Sequence, residues 1–261
     1  MPRRMERFGK KLFGALGLEV HRKSKFAPPL NFFETILEGL IAGRELLNVV
    51  QVGANDGVHK DPIHAFLMAH RQHTNALLIE PQPELIPHLE AAYAEHPRVT
   101  IYNGAVGAAD ELALHRIRPG LWNEFRAGYM KGAPAYRAPS GLTSGDRAHV
   151  LAAARKYLPR GVDPEAAVEA FTVPCRTLPQ LLAETGFATP VHVLQVDAEG
   201  ADDEVIRACD VPALRPAVIN YESRHLPAAR RAALEGLLAG EGYRLFHWHK
   251  SDTLAVRTKG G

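Results

Sequence analysis

Cysteine is scarce in this chain. There are two, Cys175 and Cys209, with no C-x-x-C pair. That excludes a disulfide framework and a zinc ribbon and fits a reducing compartment. Long apolar runs are missing too. None approaches the ~20 residues a membrane span needs. The stretch 12–18 is too short and too glycine-broken for a signal-peptide core, and no small-x-small cleavage site follows it. The chain therefore reads as cytoplasmic. Charge of one sign is also lacking: the formal net charge is +2, which offers no general attraction for nucleic acid.

The small positive excess is concentrated at one end. Residues 1–25 hold eight Lys/Arg against Glu6 and Glu19, so this tail carries +6 and the remainder −4. One reading is a solvated basic helix. Another is an interfacial helix with weak membrane-surface contact, placing Phe8, Leu12, Phe13, Leu16 and Leu18 opposite the charges. Gly9, Gly14 and Gly17 weaken a helix in either case. Pro28-Pro29 separates the tail (1–29) from a domain of 30–261. At 261 residues the chain can bury a full core without covalent staples.

Apolar periodicity then alternates between two kinds. Asn31 is placed to cap a helix from Phe32 to about Gly43. Leu46–Val52 is a continuous, valine-rich run ending in a glycine turn, the pattern of a strand buried on both faces of a parallel sheet. Helical stretches are expected at 63–70, 84–95, 178–185, 203–208 and 228–239. Strands are expected at 76–79, 99–102, 111–116, 191–196, 217–221 and 243–247. Residues 253–256 should form a hairpin partner for the last of these. Such alternation implies a doubly wound, mostly parallel α/β sheet. Residues 118–172 break the pattern. They hold scattered Gly and Pro and one clear helix, Arg147–Tyr157, and read as an inserted lid over an active site.

A third glycine is missing from the first turn. Gly53-Ala54-Asn55-Asp56-Gly57 is not G-x-G-x-x-G, so the dinucleotide fingerprint fails, and no P-loop occurs anywhere. Glycine turns at strand ends let a ligand approach the backbone. Without a phosphate cradle, this one suits a nucleoside with no pyrophosphate. The next strand ends in Glu80-Pro81, where a carboxylate can accept both hydroxyls of a ribose.

Taken in order, Val-Gly-Ala-Asn-Asp-Gly (52–57), Ile79-Glu80-Pro81, Asn103-Gly104-Ala105-Val106-Gly107, Gln195-Val196-Asp197-Ala198-Glu199-Gly200 and Asn220-Tyr221-Glu222 resemble the FkbM-type methyltransferases. The resemblance covers roughly 45–257. It implies a class I methyltransferase, Rossmann-like, with a seven-stranded sheet whose last strand is antiparallel. It implies S-adenosylmethionine as donor and O-methylation of a sugar, glycan or secondary metabolite. It also implies that Gly53, Asn55 and Asp56, within the turn containing Ala54 and Gly57, contact the methionine part. Glu80, followed by Pro81, would take the ribose, and Asn103 and Ala105 would lie near the adenine.

Methyl transfer to a hydroxyl needs an in-line geometry and a group to take the proton. Asp197, ending the strand 191–196, is the first candidate. Glu222 ends the next strand on the same edge, and His225 is a second base candidate among thirteen histidines. Asp197 and Glu222 together could also hold a divalent cation. Arg147 and His149 could reach a substrate. The histidine pairs 70/73 and 247/249 lack a third ligand at zinc spacing. Two other readings stay open. One is a nucleic-acid methyltransferase, against which the Asp197 strand lacks an Asn/Asp-Pro-Pro-Tyr/Phe element. The other is a non-catalytic module that has kept the cofactor pocket.

Overall fold

The structure is a computed structural model, and it describes residues 31–128, 132–247 and 251–258. The basic tail of 1–29, with its interfacial reading, lies outside the described residues. Among those described, no helix is long and apolar enough to cross a membrane.

The expected alternation is what the chain folds into. Helix α1 (Phe32–Ile41) starts where the Asn31 side chain accepts the Glu34 amide. It is followed by β1 (Leu47–Val52), α2 (His64–Ala69), β2 (Thr74–Glu80), α3 (Ile86–Ala92) and β3 (Val99–Asn103). After a short strand β4 (Ala105–Val106) come β5 (Glu111–Ile117), α4 (Arg137–Ser140), α5 (Arg147–Tyr157), α6 (Pro164–Ala167) and β6 (Val168–Arg176). Regular alternation resumes with α7 (Leu178–Thr185), β7 (Val193–Val196), α8 (Asp202–Ala208), α9 (Val211–Leu214), β8 (Val218–Glu222), α10 (Ala228–Gly240), β9 (Tyr243–His247) and β10 (Asp252–Arg257).

Seven of these strands form one sheet in the order β3-β2-β1-β7-β8-β10-β9. Only β10 runs antiparallel to its neighbours β8 and β9. Strand β1 is buried at all six positions because both faces are covered. Alternation along it sends Val50 and Val52 to one face, against Leu181, Ile206 and Leu234 of α7, α8 and α10. Leu47 and Val49 face the other way, against Phe33, Leu67 and Leu89 of α1, α2 and α3. Two of the amides trapped in this layer find partners: Asn48 donates to Pro190 O at 2.9 Å, and Asn220 donates across to Gln195 Oε1 at 2.7 Å.

The expected strand at 111–116 exists but lies outside the main sheet. It pairs antiparallel with β6, along Glu111↔Pro174 to Ile117↔Val168, and β6 in turn pairs with β4. Strand β6 is not readable in the sequence, because Pro174 interrupts its alternation and reads as a breaker. The irregular segment thus hangs between two paired strands. It carries its own apolar core of Ile117, Trp122, Phe125, Val150 and Ala154, packed on Leu85.

Strand register aligns the ends of the sheet. Val52 pairs with Ile79 and with Val196, Val196 with Tyr221, and Ile79 with Tyr102. The residues immediately after this row are Asn103, Glu80, Gly53, Asp197 and Glu222. Five strand ends therefore deliver their next residue to a single edge.

Candidate active site

At the centre of that edge the chain must turn sharply. Gly53 has φ +80°, and its amide donates to Ile79 O at 2.9 Å, while Asp197 N donates to Val52 O at 3.0 Å. A Cβ on Gly53 would sit 1.9 Å from Asp197 O. Glycine is required here for two reasons at once, conformation and the close approach of the β7 end.

The turn rests on Glu80. Its Oε2 accepts the Asn55 amide at 2.8 Å, and its Oε1 accepts the Gln82 amide at 2.9 Å and the Gln82 side chain at 3.2 Å. Burial pushes the Glu80 carboxyl up to about 7, against the pull of these hydrogen bonds and of Arg137. An ordinary glutamate has its pKa near 4.5, so the folded chain holds this proton more tightly than the unfolded chain does. The resulting stability is complete below about pH 4.5 and is lost as pH rises through about 7, a difference on the order of 3 kcal/mol. The melting temperature of the wild type is therefore expected to fall by several degrees relative to that of Glu80→Gln between about pH 5 and about pH 8. Parallel curves from calorimetry at a series of pH values would contradict this.

A cavity of about 970 Å³ opens along the strand ends. Of the residues expected from sequence, Gly53, Asn55, Glu80, Pro81, Ala105 and Asp197 line it; Ala54, Asp56, Gly57, Asn103, Glu222 and His225 are not in its wall. Each of the latter has another place. Ala54 is buried in the core beneath the turn. A Cβ on Gly57 would meet Leu89 and Tyr93, so that glycine admits α3. Asp56 closes its own loop, accepting the Val58 and His59 amides at 3.1 and 3.0 Å with the His59 ring 2.7 Å away. Burial alone would raise its carboxyl, but the bonds from His59 and Val58 outweigh that and hold it below the usual range. Asn103 donates to Glu80 O and Pro81 O and so fixes the end of β2.

Asp197 exposes much of its surface, yet it does so into the cavity, deep in the protein. Burial raises its carboxyl, Arg137 opposes this, and Asp252 and Asp61 add to it. Beside it, Glu199 (φ +46°) is pushed up to about 9 by burial and by the charges of Asp197, Glu222 and Asp202. Asp202, at the start of α8, is fully buried and pushed to about 8 by burial and Asp197. Its carboxylate accepts the amides of Ala198, Gly200 and Glu222 at 3.4, 3.3 and 3.2 Å, tying the loop after β7 to the end of β8. Burial, then Asp197, brings Glu222 up to about 7. Glu222 lies 3.6 Å from the His225 ring and 3.7 Å from Arg224.

The irregular segment supplies the remaining wall through Arg137, Ser140, Gly141, Thr143, Ser144 and Gly145. Asn55 donates to Ser140 Oγ at 3.2 Å, Gln82 to Ser140 O at 3.0 Å, and Arg137 to His59 O at 3.0 Å. Sequence reasoning missed Gln82, Arg137, Ser140 and Asp202, whose roles depend on contacts 58 or more residues away or on a burial the helix pattern does not reveal. Arg147 pairs with Glu165 instead of reaching the cavity, whereas the His149 ring lies 6.3 Å from that of His225.

A 3-2-1-4-5-7-6 sheet, with a glycine turn after the first strand and a buried carboxyl after the second, defines a class I S-adenosylmethionine-dependent methyltransferase. The model of the methyltransferase FkbM domain matches residues 51–245, and the chain belongs to that family. No curated protein matches it in sequence. Among solved structures, it is similar to a precorrin-6y C5,15-methyltransferase from Geobacter metallireducens, with 9% identity, 90% of this chain and 92% of that one covered, and a TM-score of 0.43. A TehB-like S-adenosylmethionine-dependent methyltransferase from Corynebacterium glutamicum gives 11%, 100% and 100%, and 0.38. TrmK of M. capricolum, solved with S-adenosylhomocysteine, gives 6%, 87% and 67%, and 0.38.

Proposed function

We propose that this enzyme methylates a hydroxyl of a sugar, a glycan or a secondary metabolite. The observation that carries the reading is the Asp197 side chain in the cavity wall, on a residue whose backbone carbonyl abuts Gly53 and beside the raised carboxyls of Glu199 and Asp202. Burial raises all three carboxyls, and the charge of Asp197 helps hold Glu199 near 9 and Asp202 near 8, so of the three it is Asp197 that gives up its proton first and can accept one in the reaction. S-adenosylmethionine, held by Gly53, Asn55 and Glu80, would supply the methyl carbon to a lone pair of the acceptor oxygen, the carbon–sulfur electron pair staying with sulfur as a neutral thioether. The hydroxyl proton passes to Asp197, with Glu222 and His225 at hand to relay it.

In the same reading Glu80 accepts the ribose hydroxyls through its remaining lone pairs. Gly53 and Asn55 face the methionine part, Asp56 and Gly57 shape that turn, and Gly104 and Ala105 give the adenine a wall with little side chain. Residues 118–172 act as the cover that selects the acceptor. The wall sets the carboxyls of Asp197, Glu204 and Asp210 beside the guanidiniums of Arg137 and Arg207, so it offers no positive excess for a phosphate backbone and suits an uncharged hydroxyl compound. The test is incubation of the full chain with methyl-labelled donor and fractionated cell extract. Label should appear as a base-stable methyl ether on a hydroxyl compound. Label confined to RNA, DNA or protein would overturn the reading.

A further inference from the structure

Three donor atoms meet just beyond the cavity, on the side away from Glu80. One oxygen each of Glu199 and Glu222 and one ring nitrogen of His225 all lie within 4.8 Å of one another. Two ligands on one first-row ion are separated by about 3–4.5 Å, given bonds of about 2.0–2.2 Å. Small side-chain rotations therefore bring all three onto one centre. Their carriers are fixed from below. Asp202 accepts the amides on both sides of Glu199, from Ala198 and Gly200, and also that of Glu222. Such anchoring of the backbone behind ligands is what a preorganised site requires.

A positive group already lies at this place. The Arg224 guanidinium donates to His225 Nε2 at 2.9 Å and approaches Glu222 at 3.7 Å. Guanidinium has no acceptor, so His225 Nε2 presents its lone pair there. Burial, Arg224 and His149 lower the His225 pKa and favour this neutral ring. Arg224 is 59% exposed and Glu222 13%. The positive partner is thus a solvated arm that can swing away, while the backbone at Glu199 and Glu222 is tied to Asp202.

We infer that Glu199, Glu222 and His225 form a binding site for a divalent first-row cation, with Arg224 as its gate. Two carboxylate oxygens and an imidazole suit Mn²⁺, Fe²⁺ or Zn²⁺ better than Mg²⁺ or Ca²⁺, which prefer all-oxygen sets. Glu222, paired with Asp197 in the sequence reading, also groups with Glu199 and His225. Coordination by three protein atoms leaves positions for an acceptor with two adjacent oxygens, a vicinal diol, held next to Asp197. That substrate class rests on the hydroxyl-methylation reading; the binding of the ion does not.

Mn²⁺ is the probe. Titrated into the full chain, with and without S-adenosylhomocysteine, it should occupy one site per chain by electron paramagnetic resonance. Pulsed spectra of the wild type should show coupling to a directly bound imidazole nitrogen, which needs no variant. His225→Ala should lose that coupling. Glu222→Gln should weaken Mn²⁺ binding about tenfold or more while S-adenosylhomocysteine binding is kept, and Arg224→Ala should leave Mn²⁺ binding as tight or tighter. The site is overturned by non-saturable binding, by a bound ion without nitrogen coupling, or by variants that bind Mn²⁺ as wild type does. A bound ion with no hydroxyl acceptor methylated would sink the acceptor reading and leave the site. Full methylation of a hydroxyl in excess chelator, with no saturable Mn²⁺ binding, would do the reverse.

Discussion

Asp197→Asn is expected to lower turnover by about 10²–10⁴-fold, the range a positioned proton acceptor contributes. Donor affinity should stay within about twofold, since the substitution acts on the reacting state alone. The two halves of this expectation have separate origins in the structure. Asn keeps the volume of Asp, and the backbone carbonyl of residue 197, which meets Gly53, is untouched. What is lost is the carboxyl whose charge helps raise Glu199 to about 9 and Asp202 to about 8. Single-turnover kinetics with labelled donor, beside calorimetric binding of S-adenosylhomocysteine, separates the two. Equal turnover in wild type and variant would remove Asp197 from the chemistry. Loss of donor binding instead would make it a cofactor-binding residue.

Gly53→Ala is expected to abolish donor binding, with a loss of at least about 10²-fold, and to destabilise the fold. Two penalties combine. A non-glycine residue at φ +80° costs about 1–2 kcal/mol. A Cβ placed 1.9 Å from Asp197 O forces the ends of β1 and β7 apart, and overpacking of this kind costs about 1–3 kcal/mol more. Gly186 provides the comparison. It also has positive φ, +65°, but a Cβ there meets nothing within 4 Å. Gly186→Ala should therefore show the backbone penalty alone, with donor binding intact. If the two variants bind donor equally well, the close approach of β1 and β7 is not what shapes the pocket.

Much of this arrangement is legible in the sequence because it is local. Glu80 follows the apolar run 76–79 and Asp197 the largely apolar run 191–196, and a residue at that place in a parallel sheet stands at the strand end where ligands bind. The same logic finds β1 and the antiparallel partner β10. It fails where position depends on distant contacts. Asp202 reads as an acidic residue in the first turn of a helix, common and solvated in general. Only the packing of α8 under β7 and β8 makes it a buried tie. Ser140 and Arg137 sit among prolines and glycines with no period to read, and they matter because they meet Asn55 and His59. His225 differs from the other histidines only through Glu222, Glu199 and His149, which the fold brings to it.

The aligned row of Tyr102, Ile79, Val52, Val196 and Tyr221 makes the sheet a ruler. Positions of the donor and of the reacting carboxylate are graduations on it, set by strand pairing and not by loop shape. A one-residue deletion inside β7 shifts Asp197 by about 3.3 Å and turns it to the opposite face. The segment between β5 and β6 hangs off a different sheet and meets the graduated edge through Arg137 and Ser140. The chain is in this sense a chassis with a front fastened at a few points. In the reading proposed above, rewriting that front with Arg137 and Ser140 kept would change the acceptor, while the donor side tolerates almost no change in strand length.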